Sequence, residues 1–157
     1  MIAGIDAKDE ERLYVQDLAS GPPRPVTGDG VTLHKVGRPV SPDGRRVVAL
    51  GPDDVPALYA LADGEPTPVP GLGANDVPLC WTADGRELMV ARYAEKPPRV
   101  ERVDVVSGRT RPWTRFGRSL PSGLWGQSRL LVTPDGESYA YGYARKMSDL
   151  YLSSPLP

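Results

Sequence analysis

Short runs in which apolar and polar residues alternate fill much of this chain, and glycine or proline bounds most of them. The clearest runs lie at residues 46–50, 87–93 and 138–143, where β-branched or aromatic side chains recur. This alternation predicts strands. No segment has a helical period, and no apolar run approaches the roughly 18 residues needed to span a bilayer. The pattern therefore predicts an all-β chain without a membrane segment.

A four-residue phrase of the form Ser/Thr-x-Asp-Gly precedes each of these runs. Its copies occupy residues 41–44, 82–85 and 133–136. Because Asp-Gly tolerates the positive φ angles of a tight hairpin, we expect each copy to join an innermost strand to the second strand of a sheet. The aspartates of the phrase are accordingly predicted to hold turns rather than to act as catalytic acids.

A second repeated signal is a strand that ends in an Asp-Gly or Ser-Gly turn. Its equivalent glycines, Gly21, Gly64 and Gly108, are separated by 43 and 44 residues, and residues 150–152 begin a fourth copy. Prolines follow these turns, as suits an edge strand whose N–H groups need not pair. A period of about 40 to 45 residues with four short strands is typical of β-propeller blades.

The spacing predicts a single partial β-propeller over residues 1–157. We expect about three and a half four-stranded antiparallel blades, or about 14 strands, with the first blade lacking its innermost strand and the last lacking its outer strand. The predicted blades span 1–30, 31–73, 74–116 and 122–157. An open arc would expose strand edges at both ends. It is therefore expected to be the C-terminal portion of a longer propeller, or to associate with a copy of itself to give about eight blades.

Composition narrows the class of function. The chain has 17 glycines and 18 prolines, which fits a turn-rich fold, and its formal net charge of −1 gives no global attraction to nucleic acid. The single cysteine, Cys80, excludes an internal disulfide and is expected to be a small buried apolar residue. The first residues do not have the pattern of a signal peptide.

The Asp-Gly turns, each followed by an Arg- or Glu-led apolar strand, resemble the propeller repeats of TolB and related bacterial WD-like proteins over essentially the whole chain. Residues 12–18, 41–47, 131–136 and 148–152 are similar to the C-terminal propeller region of bacterial eukaryotic-like Ser/Thr protein kinases. This resemblance implies the C-terminal part of a bacterial receptor-like kinase. It leaves the compartment open between the cytoplasm and, through a longer parent protein, the periplasm or cell exterior.

The residues needed for catalysis are missing from the sequence. A kinase needs a glycine-rich loop, a His-Arg-Asp loop and an Asp-Phe-Gly site, whereas the only histidine is His34 and the only phenylalanine is Phe116. A serine hydrolase needs a nucleophile elbow and a later histidine; residues 126–130 lack the elbow's last glycine, and no histidine follows them. One His and one Cys do not make a zinc site, and no calcium-loop spacing occurs. We therefore predict no enzyme activity, no metal and no cofactor.

Two groups of residues remain as candidate binding sites. The first is a basic–aromatic loop in the insertion between the third and fourth blades, where function often resides; it contains Arg111, Trp113, Arg115, Phe116 and Arg118. The second lies at the start of innermost strands, which line a propeller's central channel; it contains His34, Arg38, Trp125, Gln127 and Arg129. The plain alternatives are that Trp113 caps a blade edge among solvated arginines and that the channel residues are simply hydrated.

These observations predict a non-catalytic platform that binds a protein or peptide partner or senses a ligand, with no nucleic-acid partner. Two alternatives stay open. In one, the chain is an accessory propeller that gates substrate to an enzyme domain. In the other, it is a self-assembling arc that closes by homo-oligomerisation.

Overall fold

The computed structural model describes residues 2–5, 11–17, 21–34, 37–95, 99–115 and 124–145, with side chains at all of these except 2–5, 115, 124–129 and 143–145. Across these ranges it contains four antiparallel sheets and no helix. The predicted all-β fold is confirmed. None of the segments so described forms a helix long and apolar enough to cross a membrane.

The strands of each sheet are neighbours in both sequence and space, as in a simple meander. The first sheet contains β1 (Ile2–Ile5), β2 (Glu11–Val15) and β3 (Arg24–Pro25). The second contains β4 (Arg46–Leu50), β5 (Pro56–Ala60) and β6 (Pro66–Pro68). The third contains β7 (Asp76–Trp81), β8 (Glu87–Arg92), β9 (Arg99–Asp104) and β10 (Thr110–Arg115). The fourth contains β11 (Leu124–Val132) and β12 (Tyr139–Arg145).

The innermost strand predicted for the second blade is present, among the described residues, as isolated bridges rather than a regular strand. Thr32 and Val40 bridge in antiparallel fashion to Leu50 and Val47 of β4, and Arg38 makes a parallel bridge to Cys80 of β7. Gly37 lies close to β7, because its φ is +117° and an added Cβ would lie 2.0 Å from the Leu79 carbonyl oxygen. The strand predicted at 150–152 lies outside the described residues.

Consecutive sheets pack face to face, with an apolar core between each pair. On β8, Leu88 and Val90 face the second sheet, whereas Met89 and Ala91 face the fourth. All four side chains are fully buried. Because both faces of the strand are covered, four consecutive apolar residues are buried, and the alternation expected for residues 87–93 is not present. A third core, between the first two sheets, includes Leu13 and Val47 as well as Val31, Ala49 and Tyr59.

The Ser/Thr-x-Asp-Gly phrases form the hairpin turns, as predicted. The roles of the aspartate and the glycine differ from the predicted ones. Only the glycine of each phrase has a positive φ, of 70°, 68° and 71° in chain order. The aspartate instead accepts hydrogen bonds: Ser41 Oγ donates to Asp43 Oδ1 over 2.5 Å, and the Gly44 amide closes the turn on the Ser41 carbonyl oxygen over 2.9 Å. The same bonds recur at 82–87 and 133–138.

Arginine side chains tie each sheet to the next one along the chain. In every case the guanidinium belongs to the earlier sheet or its flanking strand, and it donates to a backbone carbonyl of the later sheet. The pairs are Arg24 with Leu61 at 2.9 Å, Arg46 with Gly85 at 3.3 Å and Arg102 with Asp135 at 3.2 Å. Each acceptor lies in a turn, where the strand ladder leaves a carbonyl free to accept it.

Candidate binding surfaces

Trp113, the centre of the predicted basic–aromatic loop, joins two sheets. Its Nε1 donates to the Gly136 carbonyl oxygen over 2.8 Å, and its ring meets Tyr139 edge-on with centroids 5.7 Å apart. It also packs against the core between the third and fourth sheets. Trp81 does the same at the preceding junction, where its Nε1 donates to the Pro39 carbonyl oxygen over 2.9 Å. These contacts favour the structural interpretation of Trp113.

Arg111, the second described side chain of that loop, reaches across β9 to Glu87. Its Nη2 lies 2.6 Å from Glu87 Oε1 and 2.8 Å from Oε2. The pair lines an open cleft of about 520 Å³ together with Asp104, Ser107, Arg109 and Thr110. The side chain of Arg115, and Phe116 and Arg118 altogether, lie outside the described part of the chain.

This cleft carries both signs of charge. The amide and hydroxyl of Ser107 donate to the Asp104 carboxylate over 2.7 and 2.8 Å, which lowers the pKa of Asp104 below its usual value of 3.8. Asp104 is therefore ionised at neutral pH, and Glu87 is held by Arg111. The cleft therefore combines two acidic and two basic side chains, so it has no excess of one sign of charge.

The predicted channel-end group is only partly described. His34 is half-buried and Arg38 is exposed. The backbone amide of Arg38 donates to the Leu79 carbonyl oxygen over 2.9 Å. Trp125, Gln127 and Arg129 lie on β11, whose register shifts on both sides of Gln127, and their side chains are outside the described set. Convergence of the five residues on a ligand stays a prediction.

Cys80 is buried, as expected from the sequence. Burial raises the pKa of its thiol to about 11, so the group is a neutral thiol packed in the core between the third and fourth sheets. Among the described residues, no cluster of three or more His, Cys, Asp or Glu side chains could hold a metal ion.

Sequence reasoning missed an ionic row at one end of the third sheet. Arg92 binds Asp76 and lies 3.1 Å from Glu101, and Arg99 lies 3.3 Å from Glu101 and 2.9 Å from Glu95. The register places Asp76, Arg92 and Arg99 directly opposite one another. The sequence signal for this row was the presence of opposite charges at the ends of consecutive predicted strands. Because opposite charges neutralise one another along the row, its role is structural, although Arg99 Nε is buried without a hydrogen-bond partner.

The fourth sheet exposes a face that the earlier sheets bury. The position four residues after the turn glycine is Val48 in the second sheet and Met89 in the third, and these are 4% and 0% exposed. Its equivalent in the fourth sheet, Ala140, is exposed. Five residues before the turn glycine, Cys80 is 1% exposed, whereas its equivalent Leu131 is 52% exposed. The residues at these positions are apolar in each copy, so only their exposure in the structure distinguishes the fourth sheet.

The first sheet has an open face on its opposite side. A Cβ added at Gly64 would lie 1.5 Å from the Val26 carbonyl oxygen of the preceding sheet, and one at Gly108 would lie 2.6 Å from that of Pro70. At the equivalent Gly21, no described atom lies within 4 Å. Among the described residues, this position therefore lacks the close backbone neighbour of its two repeats.

Beside Gly21 lies a cleft of about 420 Å³, lined by Val15, Gln16, Asp17, Pro22 and Arg24. Gln16 is exposed, whereas the residues five before the other two glycines, Tyr59 and Val103, are 4% and 0% exposed. The Gln16 amide donates to the Gly21 carbonyl oxygen over 3.3 Å. The open face of the first sheet is thus more polar than that of the fourth.

The stack of meandering sheets has a counterpart among solved structures. The crystal structure of TolB from Acinetobacter baumannii superposes on 94% of this chain with a TM-score of 0.61 and 20% sequence identity. The chain spans 35% of the length of that TolB chain. No protein-family model matches the sequence, and no curated protein matches it.

This likeness shows the fold. The four described sheets have a TolB-like, β-propeller arrangement, which confirms the predicted class of fold. The predicted blade boundaries and the similarity to kinase-linked propellers stay predictions.

Proposed function

We propose that this chain is a non-catalytic protein-interaction module that binds its partner through the open face of the fourth sheet. The observation that carries the proposal is the exposure of Leu131 and Ala140 at positions where the earlier sheets bury Cys80 and Met89. Leu131 and Ala140 are apolar and lie opposite each other on adjacent strands, which suits this face to pack against another sheet.

The energetics are in keeping with a binding role. Full burial of a leucine side chain contributes about 1.5–3 kcal/mol relative to exposure, and Leu131 is 52% exposed. Roughly half of that contribution is therefore available to a partner. Beside it, Thr133 and Asp135 hold the turn, so the face is presented on a fixed hairpin.

Photocrosslinking tests the proposal. A benzophenone amino acid is placed at position 131 in the cells that make the protein, and at position 106 as the control, because Val106 is 83% exposed but lies in a turn of the third sheet. We expect a discrete crosslinked protein product from position 131 and not from position 106. Absence of any product from position 131, at full expression and fold, contradicts the proposal.

A finer proposal concerns the parent protein. The similarity of residues 12–18, 41–47, 131–136 and 148–152 to kinase-linked propellers supports a C-terminal position in a receptor-like Ser/Thr kinase. The coding sequence upstream of this segment tests that statement directly. A kinase domain there supports it, and a different catalytic domain favours the alternative of a propeller that gates an enzyme.

A further inference from the structure

We propose that the open face of the fourth sheet binds the open face of the first sheet of a second copy, so that two chains close head to tail into one ring. This inference rests on the proposed function and names its partner. The two open faces are the two halves of one junction, because each interior junction joins the later face of one sheet to the earlier face of the next.

The fourth sheet supplies the half that precedes a junction. At the interior junctions this half carries Val48 and Met89, which are buried by the following sheet. Ala140 occupies the same position relative to the turn, and Leu131 lies on the neighbouring strand opposite it. Both side chains are exposed. The fourth sheet therefore presents the apolar surface that a following sheet covers elsewhere in the molecule.

The first sheet supplies the half that follows a junction. Gly64 and Gly108 let the backbone of the preceding sheet approach so closely that a Cβ would collide with a carbonyl oxygen. Gly21 has the same kind of backbone, with φ of +99°, and no described atom lies within 4 Å of its Cβ position. An incoming sheet can thus place a backbone carbonyl beside Gly21, as the Val26 carbonyl lies beside Gly64.

The polar residue on this face does not oppose docking. Gln16 stands where Tyr59 and Val103 pack in the other sheets, and its side-chain amide already donates to the Gly21 carbonyl oxygen. Burial of a polar group is costly chiefly when that group loses its partner. This bond lies within the first sheet, so docking of a second sheet does not require it to break.

The number of sheets suits closure by two copies. Each chain contributes four described sheets, and propellers typically close with 4 to 8 blades. Head-to-tail contacts form a ring when the rotation closes and an open filament when it does not. Two identical junctions related by a two-fold axis give the ring of eight sheets.

Light scattering after size-exclusion chromatography tests the proposal over a range of protein concentrations. We expect a particle of twice the 17.0 kDa chain mass. Leu131→Arg and Gly21→Ala, one on each open face, should each raise the dissociation constant by about tenfold or more. Ala140→Asp is a second variant of the fourth-sheet face, for use if Leu131→Arg does not fold by circular dichroism.

The controls match each change outside the two faces. Val106→Arg places the same charge on an exposed side chain of the third sheet, and Gly44→Ala strains a turn glycine with φ of +70° and no described neighbour within 4 Å. Both should leave the mass unchanged. Equal dissociation by the controls overturns the assignment of the surfaces, and masses that grow with concentration beyond two chains overturn ring closure.

A 17.0 kDa particle at every concentration overturns the second copy as the partner. In that case crosslinking from position 131 separates the two proposals. A crosslink to a different protein leaves the proposed function standing, whereas the absence of any crosslink removes both.

Discussion

The turn aspartates Asp43, Asp84 and Asp135 show that one side chain can fix the geometry of a repeat. Each carboxylate accepts one hydrogen bond from the hydroxyl of the Ser or Thr two residues before it and one from the backbone amide two residues after it. These bonds favour the ionised carboxylate and lower the pKa of all three aspartates. Their role is structural, as the sequence predicted, although the glycine alone takes the left-handed backbone.

The first prediction is a loss of stability in acid. A carboxyl group with a lower pKa in the folded state than its usual 3.8 stabilises the fold above that value, and the contribution is lost as the pH falls through the folded pKa. We expect the unfolding temperature to be steady to about pH 5 and to fall below about pH 4. Asp84→Asn should flatten this fall in thermal melts followed by circular dichroism. Asp54→Asn, in another exposed turn, controls for the lost charge, and an equal effect of both variants contradicts the assignment.

The second prediction concerns the close approach at Gly64. Gly64 and Gly44 have nearly equal φ, +74° and +70°, so Ala at either position costs about 1–2 kcal/mol in backbone strain. Only at Gly64 would the new Cβ meet a backbone atom, the Val26 carbonyl oxygen at 1.5 Å. Gly64→Ala should therefore lower the free energy of unfolding in urea by clearly more than Gly44→Ala. Equal losses would show that the first two sheets are not in this contact.

At the scale of the element, the turn spacing predicted the strands and the packing determined their faces. The runs at 46–50 and 87–93 became β4 and β8, within one residue. The segment before β4 could not be predicted in the same way. Its described residues contact Leu79, some 40 residues later in the chain, through the close approach of Gly37 and the Arg38 amide, and no local pattern encodes such contacts.

The third prediction compares the ion pairs of Glu101 with the ion pair of Glu87, all within the third sheet. Glu101 is buried and holds both Arg92 and Arg99, so Glu101→Gln should cost about 1.5–3 kcal/mol, as expected for hydrogen bonds to charged groups. Arg111→Ala removes the exposed partner of Glu87 and should cost less than about 1 kcal/mol. Urea denaturation of both variants measures the difference. The reverse order would mean that the ionic row contributes little to the third sheet.

For the whole molecule, the repeat predicted the all-β, TolB-like class of fold. It did not predict which residues lie on the exposed faces. Leu131 and Cys80 are both apolar, and positions 21 and 64 are both glycine, so these copies differ in their surroundings rather than in residue type. The channel-end residues are a similar case. Whether His34 and Gln127 share a ligand depends on how neighbouring sheets are rotated, and spacing along the chain carries no such information.

The fourth prediction is a gradient of protection from hydrogen exchange. The third sheet is covered on both faces, whereas the fourth exposes Leu131 and Ala140. Protection follows the burial of each cooperative unit. Amides of β8 should therefore exchange most slowly and those of β12 much faster, as measured by mass spectrometry of the exchanged protein. Uniform protection across the four sheets would show that the junctions do not contribute independently to the stability of each sheet.

Three arginine bonds, one at each described junction, run from a guanidinium on the earlier sheet to a carbonyl on the later one. A stack built in this manner has a direction, because the two sides of each junction carry different hydrogen-bonding groups. At each of these junctions the donor therefore lies on the earlier side and the acceptor on the later side, so the three bonds give the order of the sheets a direction along the chain.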